Sequence, residues 1–210
     1  MTHSHERDVA SKVAKLQQAL EHFEGRQLFD AHKEDALAPI RKRALGLLDQ
    51  RQRSRHELRE RLLKLEFAPE LVDEVLDSLE QNLLLDDARF ASEWVRQRAA
   101  TRGKSSRALD LELREKGVAA HVRAEALEQI SAEDEERQAR ALAQKKVREV
   151  KEPPADRAEY DKALRRVVGV LARRGYSSEL TMWVARSELK ARIESCLLYT
   201  SDAADDPLRA

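Results

Sequence analysis

A single cysteine, Cys196, excludes a disulfide framework and suits a reducing compartment. No apolar run approaches the roughly 18 residues that a membrane-spanning helix needs. The opening MTHSHERDVASK has no apolar segment of the signal-peptide kind. A soluble, cytoplasmic chain is therefore expected. Aromatics make up only 4%, so a core must come mainly from Leu, Val and Ala. Thin cores of that kind favour small helical units over one deep globule. Net charge is also missing: 39 Lys and Arg face 39 Asp and Glu, which argues against a uniformly basic DNA-coating protein. The catalytic signatures are absent too, with no P-loop, no glycine-rich nucleotide fingerprint and no nucleophile elbow. The six histidines (His3, His5, His22, His32, His56 and His121) lack metal-ligand spacing. Neither an enzyme, a cofactor, a metal site nor a small-molecule substrate is expected.

What the chain does have is helix formers. Charged residues reach 37% and hydrophobic ones 41%, with 6 Gly and 5 Pro in 210 residues. Such a mixture points to an all-α protein. Internal repetition is the more informative signal. From Ser54 the apolar positions are Leu58, Leu62, Phe67, Leu71, Val75, Leu76 and Leu79. A shift of 51 turns them into Leu109, Leu113, Val118, Val122, Ala126, Leu127 and Ile130. A further shift of 58 gives Val167, Leu171, Tyr176, Leu180, Val184, Ala185 and Glu188, where only the last breaks the pattern. Spacings of four mark one buried helix face. Each repeat is interrupted once, at LEFAPE, EKGVAAH and RRGYSSE. Gly117 and Gly175 suit a left-handed helix end, Pro69 a first turn and Ser177 a cap.

A further helix precedes each pair, near 40–52, 87–101 and 134–150. The expectation is three tandem three-helix (helix-turn-helix-like) repeats, 39–84, 85–131 and 132–195, forming an elongated curved scaffold. The stretch KEPPADRAE is a loop inside the third unit. Residues 1–38 form an N-terminal extension with an amphipathic helix over 8–24 and a linker over 25–38. The final CLLYTSDAADDPLRA resembles the in-frame translation of a sequencing adapter, so 196–210 is set aside as a non-native-looking tail.

Charge is balanced overall but not locally. Between Glu93 and Asp110 there is no acid, yet Arg96, Arg98, Arg102, Lys104 and Arg107 all lie there. The loop Arg102 to Arg107, with a glycine and two serines, suits phosphate or acidic side chains. A second patch holds Lys162, Arg165, Arg166, Arg173 and Arg174. Ahead of the first patch, Asp86 or Asp87 suits an N-cap beside the helix dipole. Phe90 and Trp94, four apart, should pack into the core.

These residues carry a resemblance. LLLDDARFASEWVRQRA, with Asp86, Asp87, Arg89, Phe90 and Trp94, resembles the hallmark of the RecX family. RALDLELREKGV, ending near Gly117, resembles that family's second-unit motif, and LARRGYSSELTMWV, with Gly175, its third. The match covers about 40–192. Leu83 departs from the pattern, since a glycine is usual there. The resemblance implies a modulator that binds the RecA recombinase filament on single-stranded DNA. It implies inhibition of strand exchange, ATP hydrolysis and repressor autocleavage, and weak DNA contact in some members. The basic patches are the expected partner surfaces. The competing reading is a helix-turn-helix DNA-binding protein acting without RecA. It is disfavoured because PELVDEVLDSLEQ and AHVRAEALEQI are acidic, while the less acidic C-terminal helix over 178–193 stays open to it.

Overall fold

The chain is described from a computed structural model covering residues 31–202. Among these residues all regular structure is helical. Unit 1 comprises α1 (Ala31–Gln50), α2 (Arg55–Leu63) and α3 (Pro69–Gln81). Unit 2 comprises α4 (Asp87–Arg102), α5 (Ser106–Glu115) and α6 (Ala120–Leu127). Unit 3 comprises α7 (Ala132–Val147), α8 (Arg157–Ala172) and α9 (Ser178–Asp202).

Helix ends follow from local chemistry. Asp86 caps α4 by accepting the Arg89 N–H at 2.9 Å. Ser54, Ser105 and Asp156 cap α2, α5 and α8 in the same way. Ser131 and Asp134 form a reciprocal capping box on α7. Pro69 opens α3, where its missing N–H has no partner to lose.

Each unit buries its own cluster. Unit 1 gathers Ile40, Leu58, Leu62, Val72, Val75 and Leu76. Unit 2 gathers Phe90, Val95, Leu109 and Leu113. Unit 3 gathers Val167, Leu171, Tyr176, Val184 and Leu189. Every helix pair in extensive contact lies within one unit. Fully buried Leu residues such as Leu109 each stabilise their unit by about 1.5–3 kcal/mol. The acidic surface of α3 is partly neutralised inside unit 1: Arg55 bonds Asp77 and Glu80, and Arg59 bonds Asp73, each at 2.7 Å.

Two details differ from the sequence expectation. The linker read over 25–38 is helical from Ala31, because Leu37 already joins the unit 1 core. At the other end α9 runs on to Asp202. It takes in Cys196, whose buried Sγ lies 3.5 Å from Lys151 O. The amphipathic helix expected over 8–24 falls outside the described residues.

The repeat is visible in the backbone itself. Glu66, Gly117 and Gly175 occupy one repeat position, and all three are left-handed, with φ of 63°, 72° and 86°. Glu66 is exposed and no preceding unit packs on it among the described residues, so it tolerates a side chain. A left-handed L-residue still costs about 1–2 kcal/mol, partly offset by the greater freedom of unfolded glycine. Glu66→Gly is therefore expected to raise stability by about 0.5–1 kcal/mol, read as a higher urea midpoint at unchanged slope. Leu83 is left-handed as well, at φ 57° and 80% exposed, so the turn forms without glycine but under strain.

Candidate anion-binding interface at the unit junctions

Successive units are joined by one set of contacts used twice. At the first junction Ser54 Oγ donates to Lys116 O at 2.6 Å, and the Arg55 N–H donates to Asp87 at 2.8 Å. At the second, the Ser105 N–H donates to Arg174 O at 3.0 Å. There the Ser106 N–H and hydroxyl reach Glu135 at 2.5 and 2.7 Å. Each unit thus lays the turn after its second helix, and an acid at the start of its first, on the N-terminus of the preceding α2 or α5. Three N–H groups at helix starts (Arg55, Ser105 and Ser106) and two carbonyls at helix ends (Lys116 and Arg174) are satisfied in this way.

The glycines belong to the same device. A Cβ on Gly175 would lie 2.6 Å from Ala108 Cβ and 2.8 Å from Ser105 Oγ. One on Gly117 would collide with His56 Cβ and Cγ. At the second junction Tyr176 OH donates to Gly103 O at 3.1 Å. Burial pushes its phenol up to about 12, so it remains a donor at neutral pH.

Glu57 ties the first junction electrostatically. Burial raises its carboxyl, but hydrogen bonds from Arg51 and Lys116 outweigh this and hold it at about 2. Because folding lowers this pKa, ionised Glu57 favours the folded state above the ordinary value of 4.5, and that contribution is lost as pH falls toward about 2. Asp87 acts in the opposite sense: burial raises it, against the Arg55 N–H and guanidinium. The stability gap between the native chain and Glu57→Gln is therefore expected to shrink between about pH 5 and pH 3, measured by urea unfolding at each pH.

The basic residues have unequal surroundings. Arg96 is paired with Glu93 at 2.5 Å. Arg98 lies 3.6 Å above the Trp94 ring and 3.5 Å from Glu112. Lys104 is bonded to the same Glu112, which also accepts the Trp94 Nε1–H at 2.9 Å. Burial first, then Arg98 and Arg102, lower the Lys104 pKa. Glu112 thus gathers two cations and an indole, and Lys116 covers Trp94 at 4.2 Å. Phe90 is buried beside that indole, with ring centroids 5.5 Å apart. Asp86 caps α4, whereas Asp87 reaches across to Arg55. Arg89 is exposed in the cleft of the first junction.

Between units 2 and 3 the two basic segments converge. A cleft of about 1030 Å³ is lined by Arg102, Lys104, Arg137, Lys145, Arg173 and Arg174, with Gln138 and Leu142 and no carboxylate. Arg107, Lys162, Arg165 and Arg166 lie outside it. Arg137 and Lys145 are not among the expected partner residues, although 137–148, between Glu136 and Glu149, is itself an acid-free basic run; it directly follows the acids Glu133 to Glu136, which mask it in the local charge balance. Their spacing, Arg137–Ala141–Lys145, is the signal: steps of four place them on one helix face. Arg137 is held by Asp134, and Lys104 by Glu112. Arg102, Lys145 and Arg173 have no carboxylate partner among the described residues, and Arg174 donates only to the carbonyls of Arg102 and Val170. Such a surface suits phosphate or carboxylate oxygens. Among the described residues no cluster of His, Cys, Asp or Glu could hold a metal, and no helix is long and apolar enough to cross a membrane.

Comparison with known proteins agrees with this architecture. Residues 41–79 match the first three-helix domain of RecX and residues 86–127 the second. The chain is 55% identical over 192 residues to the regulatory protein RecX of Corynebacterium efficiens, covering 88% of this chain and 91% of that one. It is 43% identical to the protein of that name from Mycolicibacterium vanbaalenii, over 69% of this chain and 79% of the other. The crystal structure of RecX from Lactobacillus salivarius superposes with a TM-score of 0.64 at 22% identity, covering 75% of this chain and 98% of that one, a likeness of fold. Helical repeats, hallmark residues and relatives agree: the chain belongs to the RecX family of regulatory proteins.

Proposed function

We propose that this chain binds the RecA recombinase filament on single-stranded DNA and inhibits it. ATP hydrolysis, strand exchange and coprotease activity fall together, which modulates recombinational DNA repair and the SOS response in the cytoplasm. The observation that carries this reading is the 55% identity to a regulatory protein RecX along 88% of the chain. The architecture supports it. Three small cores joined in series offer a long surface, and the basic cleft spans two units, so one partner can bridge them. The role is binding rather than turnover.

The test is the single-stranded-DNA-dependent ATPase of RecA, titrated with this chain. Inhibition well below one chain per recombinase monomer is expected, and it would favour end capping or propagated disassembly over coating. No inhibition at excess, with tight binding to duplex DNA alone, would replace this reading with that of an independent DNA-binding protein.

A further inference from the structure

We propose that the junction clefts are tandem phosphate sites for the backbone of a single nucleic-acid strand. The stronger lies between units 2 and 3, and a weaker copy lies between units 1 and 2. This rests on the filament reading above and deepens it, by making the strand a direct ligand beside the recombinase.

The internal repeat carries the argument. The first junction also forms a cleft, of about 600 Å³, lined by Arg51, Gln52, Arg89, Glu93, Trp94 and Gln97 among others. The 51-residue shift places Arg51 on Arg102, in the loop ahead of the second helix. The junction acids Asp87 and Glu135 define a second register, 48 residues apart. In it Arg89 falls on Arg137, Glu93 on Ala141 and Gln97 on Lys145. Both clefts are therefore framed by the same arginine pair, one from each unit.

They differ in charge. The first cleft holds Glu93, and its Arg51 is bonded to Glu57 at 3.1 and 3.2 Å. The second replaces that acid with Ala141, adds Lys145, and receives Arg173 and Arg174 from the turn of unit 3. A guanidinium pair at each of two successive junctions suits a polyanion, which offers phosphates along its length.

The lining favours a nucleic-acid strand over an acidic protein. Its cations stand beside Ala100, Ala141 and Leu142 rather than beside carboxylates, so the lining does not repel a polyanion. The second cleft presents no aromatic face for bases, so contact there is made through phosphates without sequence preference, whereas the first has Phe90 and Trp94 in its lining. A single strand can enter such a cleft. It is also flexible enough to follow both clefts in turn, whereas a duplex is stiff over about 150 base pairs.

The experiment is fluorescence anisotropy of a labelled oligothymidylate with the full chain, without recombinase, across a salt series. Binding is expected to weaken with salt, by about 0.7 in log–log slope per phosphate contact. Arg102→Glu with Arg173→Glu should weaken binding about tenfold at low salt and reduce the slope by about 1.4. Neither side chain makes a structural ion pair among the described residues, so circular dichroism should match the native chain. Glu93→Ala with Gln97→Lys copies the second cleft into the first, and should tighten binding about threefold, as one added phosphate contact would.

Unchanged affinity and slope in the helical double-Glu variant would overturn the proposal, as would equal competition by duplex. So would loss of RecA inhibition in that variant with oligomer binding intact, because the cleft would then belong to the protein partner. Oligomer binding that responds as stated, while native chain leaves the RecA ATPase untouched, would retain the strand site and remove the filament reading.

Discussion

Gly175→Ala is expected to destabilise the chain by about 2–5 kcal/mol and to loosen unit 3 from unit 2. Two penalties combine. The backbone is left-handed at φ 86°, which costs an L-residue about 1–2 kcal/mol. The new methyl also meets Ala108 Cβ at 2.6 Å and Ser105 Oγ at 2.8 Å, and such overpacking typically costs about 1–3 kcal/mol more. Neither neighbour can swing away: Ala108 has no rotamer, and Ser105 caps α5. Relief must come from separating the turn from α5, which sacrifices the bonds from Ser105 N to Arg174 O and from Tyr176 to Gly103. Gly117→Ala should behave alike at the first junction, against His56. Chemical denaturation with a tyrosine fluorescence or hydrogen-exchange probe at the second junction reads both effects. A Gly175→Ala chain with native stability would show that the units are not held by this contact.

The contrast with Glu66 shows what could be read in the sequence. Helix existence, the helix caps and the left-handed positions of Gly117 and Gly175 follow from local periodicity and turn chemistry. So do the three core stripes. Why Gly117 and Gly175 must be glycine, while Glu66 need not be, depends on what the neighbouring unit places there, and no local pattern states it. The same holds for the cleft. Arg102 and Arg174 are 72 positions apart and meet only because the junction brings Arg174 Nε to Arg102 O at 3.2 Å. The acid-free run also hid a neutralisation: Lys104 and Arg98 face Glu112, on the next helix. Acids close in space, rather than acids close in sequence, decide which cations remain open to a partner.

Phe90→Ala should cost about 3–5 kcal/mol, and the form of the melt should be as informative as its size. Phe90 is 4% exposed and lies with Val95, Leu109, Leu113 and Val118 in the unit 2 cluster, so its truncation leaves a void in that core. That loss is a large part of what a cluster of this size can supply. Units 1 and 3 keep their own cores, and their extensive helix contacts are internal. In a serial architecture, stability is a sum of unit terms and junction terms. A deficit confined to unit 2 should therefore detach its melting from that of its neighbours. Calorimetry of Phe90→Ala should show a broadened or split transition, with unit 2 amides exchanging first. The junction bonds Ser54–Lys116 and Ser106–Glu135 oppose this by coupling unit 2 to both sides. A single sharp transition, merely moved down in temperature, would mean that the junctions outweigh the separate cores and that the three units fold as one.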